Sequence, residues 1–138
     1  MEWTKLIPEK EITNGITKET DDFAKEFGKH LGTNDEQEKL NTNQLRKFFG
    51  EVKRQQMRGY NPTDFILLKS KLAYAVGRAL GKAPGKNPGK GLKIKDFYKV
   101  LSHAIDQVTN EDQFKRFIKI FEAIVAYHKA AENNIDIN

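Results

Sequence analysis

Between Asp64 and Leu80 the chain reads DFILLKSKLAYAVGRAL, and this stretch narrows the available folds more than any other. Phe65, Leu68, Leu72, Ala75, Val76 and Ala79 recur with the period of an α-helix, while Ile66, Leu67, Ala73, Tyr74 and Leu80 fill most of the remaining arc. The spacing therefore predicts a helix over 64–80 that is buried on several sides and is the most buried of the fold. It is too short and too often interrupted by charge to span a membrane, so other helices have to cover it. Its polar edge is narrow. Leu67, Lys71, Tyr74 and Arg78 step by four, three and four residues, which stacks two cations and a tyrosine in one outward stripe.

The remaining segments supply helices to pack around it. TKETDDFAKEFGKHL, from Thr17, has acids in its first turns and Lys29 with His30 near its end, complementing a helix dipole, and Phe23, Phe27, His30 and Leu31 share a face. Thr42 opens the next helix, with Asn41 an equally good N-cap, and Leu45, Phe48, Phe49, Val52 and Gln56 lie on one arc. On that helix Lys47, Arg54 and Arg58 point away from the arc, where solvation explains them; Arg46 and Lys53, seven apart, lie at its rim. Asn61, Pro62 and Thr63 form the turn into the central helix. Ile94, Phe97, Leu101, Ala104, Ile105 and Val108 form a fourth stripe. Asn110 caps a fifth helix whose core face runs from Phe114 through Phe117, Ile118, Phe121, Ile124 and Val125 to His128, which reads as a core histidine.

No stretch alternates as a strand would, so the expected fold is all-α, a single domain over 1–138 formed by a bundle of about five helices. Residues 1–16 hold neither period for long and are expected as an arm that docks or stays flexible. Residues 81–91, GKAPGKNPGKG, carry four glycines, two prolines and Lys82, Lys86 and Lys90, the composition of a flexible cationic loop. Residues 132–138 are expected to fray.

Composition removes several functions. With no cysteine there is neither a disulfide nor a thiolate metal site, and His30, His103 and His128 lack ligand spacing, so no metal or cofactor is expected. No Gly-Lys pair of the loop precedes Ser or Thr, which excludes a Walker phosphate loop. HExxH and GxSxG are absent, and Asp21, Asp22 and Glu26 are explained by a helix N-terminus, so the chain does not read as an enzyme. Neither a signal peptide nor a membrane anchor is visible, and a cytoplasmic protein is expected. The net charge of +5 hides an asymmetry: residues 44–100 hold 14 Lys or Arg against 3 Asp or Glu, whereas residues 1–43 hold 6 against 10. So one-sided a block favours a polyanionic partner.

Three stretches carry a family resemblance. TNQLRKFFGEVKR (42–54), LLKSKLAYAVGR (67–78) and FKRFIKIFEAIVAYHK (114–129) resemble successive blocks of the small helical subunit of type III-A CRISPR-Cas effector complexes, the Csm complexes. The blocks stand in the expected order and the resemblance covers about residues 15–130. Ser70 stands where a proline is common in the family, and the arm and the lysine-rich loop have no counterpart. The resemblance implies a non-catalytic subunit of an RNA-guided antiviral complex. Its expected partners are guide RNA and target RNA, the other Csm subunits and further copies of itself stacked head to tail. The implied RNA-binding positions are the block cations Arg46, Lys53, Arg54, Lys69, Lys71, Arg78 and Lys129. Periodicity had independently singled out Arg46, Lys53, Lys71 and Arg78. Two rival readings fit the same basic block: a helical interaction module for an acidic protein, and a sequence-independent DNA binder.

Overall fold

A computed structural model describes residues 9–32, 42–81 and 92–133. These form seven helical segments, α1 (Glu9–Asn14), α2 (Lys18–Gly32), α3 (Thr42–Arg58), α4 (Pro62–Ile66), α5 (Leu68–Gly81), α6 (Leu92–Asp106) and α7 (Glu111–Glu132), with no strand among the described residues. The all-α expectation holds, and the five long helices match the five apolar stripes. Lys82, Lys86 and Lys90 and the tail from residue 134 lie outside the described residues, as does Asn41.

The centre of the fold is α7, not the 64–80 stretch. Asn110 caps it by accepting from the Gln113 backbone N–H at 2.9 Å, while the Gln113 side chain accepts from the Thr109 N–H at 2.7 Å, so two otherwise orphaned donors are satisfied. Phe114, Phe117, Ile118, Ile120, Phe121, Ile124, His128 and Ala131 are all buried along it. They face different neighbours, since α7 packs against α1, α2 and α3.

The tightest of these contacts is with α2. A Cβ placed on Gly28 would lie 2.7 Å from Tyr127 Cβ and 2.8 Å from the Ile124 carbonyl oxygen, and one on Gly32 would lie 2.7 Å from the His128 carbonyl oxygen. Two glycines four residues apart on one helix face therefore let the backbones approach as no other residue would. Phe23 and Phe27, stacked with centroids 5.8 Å apart, bury the same side of α2. Tyr127 donates to both carboxylate oxygens of Asp21, at 3.0 and 2.8 Å, and fixes the register.

Phenylalanines attach the remaining helices. Phe48 of α3 meets Phe97 of α6 edge-on at 5.8 Å and Phe121 of α7 at 5.5 Å; Phe65 of α4 meets Phe114 and Phe117 edge-on at 5.2 and 5.1 Å. Fully burying each ring contributes about 1.5–3 kcal/mol, with about 0.5–1.5 kcal/mol more per well-oriented pair. Below them, His30 Nε2 lies 2.8 Å from Asp96 Oδ2 and ties α2 to α6.

The 64–80 stretch departs from expectation twice. It is not one helix: Asn61 caps a short α4 with Pro62 in its first turn, and the chain tightens at Leu67 before α5 begins. Nor is it the most buried. Phe65, Leu68 and Leu72 are buried, but Ile66, Leu67 and Tyr74 are 47%, 48% and 69% exposed. Its apolar residues outnumber what one flank of α6 can cover, and α7 has already taken the central position. On α3 the arc differs by one residue: Gln55 is buried and donates through Nε2 to the Asp64 carbonyl oxygen at 3.0 Å, whereas Gln56 is exposed. A polar side chain is retained in the core there because it satisfies an α4 carbonyl.

The arm docks in part. Ile12 of α1 is fully buried, and Arg116 Nη1 donates to the carbonyl oxygens of Ile12 and Thr13 at 2.9 and 3.0 Å. These are C-terminal carbonyls that a helix this short leaves without intrahelical donors. Gly15 follows with φ at 145°, a backbone open to glycine.

Candidate nucleic-acid interface

Between residues 42 and 81 the sequence has only two acids, Glu51 and Asp64. The structure places Glu51 at the contact between two basic stripes. On α3, Lys47, Glu51, Arg54 and Arg58 step by four, three and four residues and so share one line. On α5 the same steps give Leu67, Lys71, Tyr74 and Arg78. Lys71 Nζ donates to Glu51 Oε1 at 2.5 Å, and Arg54 Nη1 donates to Glu51 Oε2 at 2.6 Å. One carboxylate thus joins the stripes, and Lys47, Arg54, Arg58, Lys71 and Arg78 are all exposed along them. The hydrogen bond from Lys71 holds the Glu51 carboxyl below the ordinary glutamate range; burial opposes this, and the charges of Lys71 and Arg54 reinforce it.

The seven sequence-predicted cations do not form one site. Lys71, Arg78 and Arg54 lie on the joined stripes. Lys53 lies on the opposite rim of α3, 3.5 Å from Glu122 of α7 and 5.8 Å from the Phe49 ring centroid, so the neighbour it meets is a helix of its own fold. Arg46 shares that rim by its spacing and is exposed. Lys69 donates to Asp106 of α6 at 2.8 Å, and Lys129 stands on α7, 4.0 Å from Glu132. Among the seven, Arg46 and Arg78 alone have no ion-pair partner among the described residues.

Lys47 and Arg58, which the sequence assigns to solvation, are exposed and flank Glu51 at helical spacing, and Glu51 is the one acid set among these cations. It marks a line on which something has to be neutralised, and that something is Lys71 of another helix.

The far side of α3 has a groove of about 350 Å³, formed with the Gly59–Tyr60 turn and the first turns of α7. Glu111 and Glu122 line it together with Lys115 and Lys119, so it has no single charge sign. Among the described residues no group of His, Cys, Asp or Glu could hold a metal ion, and no helix is long and apolar enough to cross a membrane. His128 is buried, as a core histidine would be.

A comparison with protein families matches residues 16–134 to the model described as Csm2 Type III-A. No curated protein and no solved structure matches the chain.

Proposed function

The chain belongs to the Csm2 type III-A family, small structural subunits of the type III-A CRISPR Csm complex, and we propose that in this complex it is a non-catalytic RNA-binding subunit of antiviral defence. The observation that carries the reading is the joined α3–α5 face, with five exposed cations around one acid that is already engaged. Cations so arranged suit the phosphates of guide RNA and target RNA, which are the same whatever the base sequence. A subunit that has to accept any guide gains nothing from reading base edges. The fold offers such contacts on rigid helices, so little ordering accompanies binding.

The opposite charge appears on α2, where Glu19, Asp22 and Glu26 step by three and four residues and are all exposed. An acidic stripe and a basic face on one chain support head-to-tail stacking of copies. Such contacts do not close on themselves, so RNA length sets the number of copies.

The test replaces Lys47, Arg58, Lys71 and Arg78 together by alanine and follows RNA affinity against salt. Neutralising about three phosphates gives a log–log slope of roughly −2 for the parent. The fourfold variant is expected to lose most of that slope while keeping its thermal midpoint within a few degrees. Parent-like binding by the folded variant would sink the reading. Replacing Arg46 and Lys53 is the control on the opposite rim. Sedimentation with RNAs of increasing length tests stacking: the copy number should rise stepwise, and constant stoichiometry would count against it.

A further inference from the structure

Three of the four tyrosines are half-buried and pack against the core: Tyr60, Tyr98 and Tyr127. Tyr74 is 69% exposed, and among the described residues neither its ring nor its hydroxyl has a partner. What surrounds it is small. Ser70, Ala73 and Gly77 are exposed on the same side of α5, and a Cβ added at Gly77 would meet no atom within 4 Å. The ring is therefore open to a flat ligand. Along the stripe Lys71 precedes it by three residues and Arg78 follows by four, about 4.5 and 6 Å along the helix axis. An isolated exposed tyrosine needs no explanation, but this one lies between two exposed cations of one helical stripe.

We propose that Tyr74 is a stacking platform for an unpaired base of the RNA, with Lys71 and Arg78 holding the phosphates on either side. The proposal rests on the RNA-binding reading above and adds to it a class of ligand. A base in a duplex has both faces covered by its neighbours, so an aromatic side chain on a convex helix reaches only a nucleotide that is unstacked. The cationic surroundings favour a polyanion over an apolar protein surface as the occupant. Stacking accepts any base, so the site keeps the sequence independence of the phosphate contacts. Tyr74 would thus distinguish the single-stranded from the paired state of the strand it touches.

The experiment compares the parent with Tyr74→Phe, Tyr74→Ala and Arg78→Ala. The probes are a mixed-sequence single-stranded RNA and the same RNA annealed to its complement, each titrated at several salt concentrations. Tyr74→Ala is expected to weaken single-strand binding about tenfold with the salt slope unchanged, and to leave duplex binding within about twofold. Tyr74→Phe should retain parent affinity. Arg78→Ala should lower the slope by about 0.7–1, because it removes a phosphate contact. Salt-dependent binding by the parent together with undiminished single-strand affinity of Tyr74→Ala would overturn the platform and leave the RNA reading standing. A parent without salt-dependent RNA binding would overturn both. Loss of self-association in Tyr74→Ala with RNA affinity unchanged would assign the ring to a second copy instead.

Discussion

Lys71 of α5 reaches the carboxylate of Glu51 on α3 at 2.5 Å, and Arg54 holds the other oxygen of the same group. An ion pair of this kind between surface side chains stabilises by only about 0–1 kcal/mol. Its larger effect is on what the two cations are free to do, because a carboxylate in their midst competes with any phosphate.

Glu51→Gln removes that competitor. Its RNA affinity is expected to rise a few-fold and its salt slope to steepen, since Lys71 and Arg54 become available as counter-charges. The same variant tests linkage. The fold lowers the pKa of Glu51, so the stability it contributes is present at neutral pH and lost as pH falls below about 4. Thermal midpoints of parent and Glu51→Gln should therefore converge on acidification; equal separation at all pH would exclude the pairing.

Glycines sort by their surroundings. Gly28→Ala drives a methyl into Tyr127 and the α7 backbone and should destabilise by about 1–3 kcal/mol, as overpacking does. Gly50→Ala and Gly77→Ala lie in helices with no atom within 4 Å of the new methyl, and each should stabilise by about 0.5–1 kcal/mol. Chemical denaturation of the three variants checks both signs.

Tyr127 gives the alkaline counterpart of Glu51. Its hydrogen bond to Asp21 raises the phenol pKa, with burial and the charges of Asp21 and Asp22 adding to it. A raised folded-state value means a contribution present below the unfolded pKa and lost as pH rises through the folded one, that is, above about 10. Tyr127→Phe should remove this alkaline loss, and denaturation series at pH 8 and above about 10 would reveal it.

Arg116→Ala leaves the last carbonyls of α1 without their donor. Limited proteolysis is expected to cleave the variant around residues 15–17 much faster than the parent, with the α2–α7 pairing intact. Parent-like resistance would mean that the packing of α1 on α7, with Ile12 buried, holds it without these bonds.

Periodicity in the chain was enough to read the five long helices, because each has a stripe of apolar residues that only one period fits. It did not reveal which helix lies at the centre. DFILLKSKLAYAVGRAL has apolar residues nearly all round, and so does the segment from Phe114 to Val125. Phenylalanines that reach several neighbours placed the latter in the middle, and Ile66, Leu67 and Tyr74 were left facing water. The cationic face was half legible. Spacing exposed Lys71 and Arg78 as one stripe, but its link to Lys47 and Arg58 depends on a long-range ion pair, Lys71 to Glu51, and no local pattern encodes such a pair. Gln55 is the same kind of case, a core position chosen by a carbonyl nine residues further on.

The glycine contacts between α2 and α7 set more than the stability of that pair. At Gly28 and Gly32 the α2 backbone lies directly against the α7 backbone and Cβ atoms, which leaves little room for the two helices to slide or roll independently. They act as a single strut. The acidic stripe of α2 is on the outside of that strut, so in a stack each copy would hand the next a rigid surface, and errors of spacing would not be absorbed within a subunit. If copies stack as proposed, the rigidity of the acidic surface each presents is set by the seam between two helices.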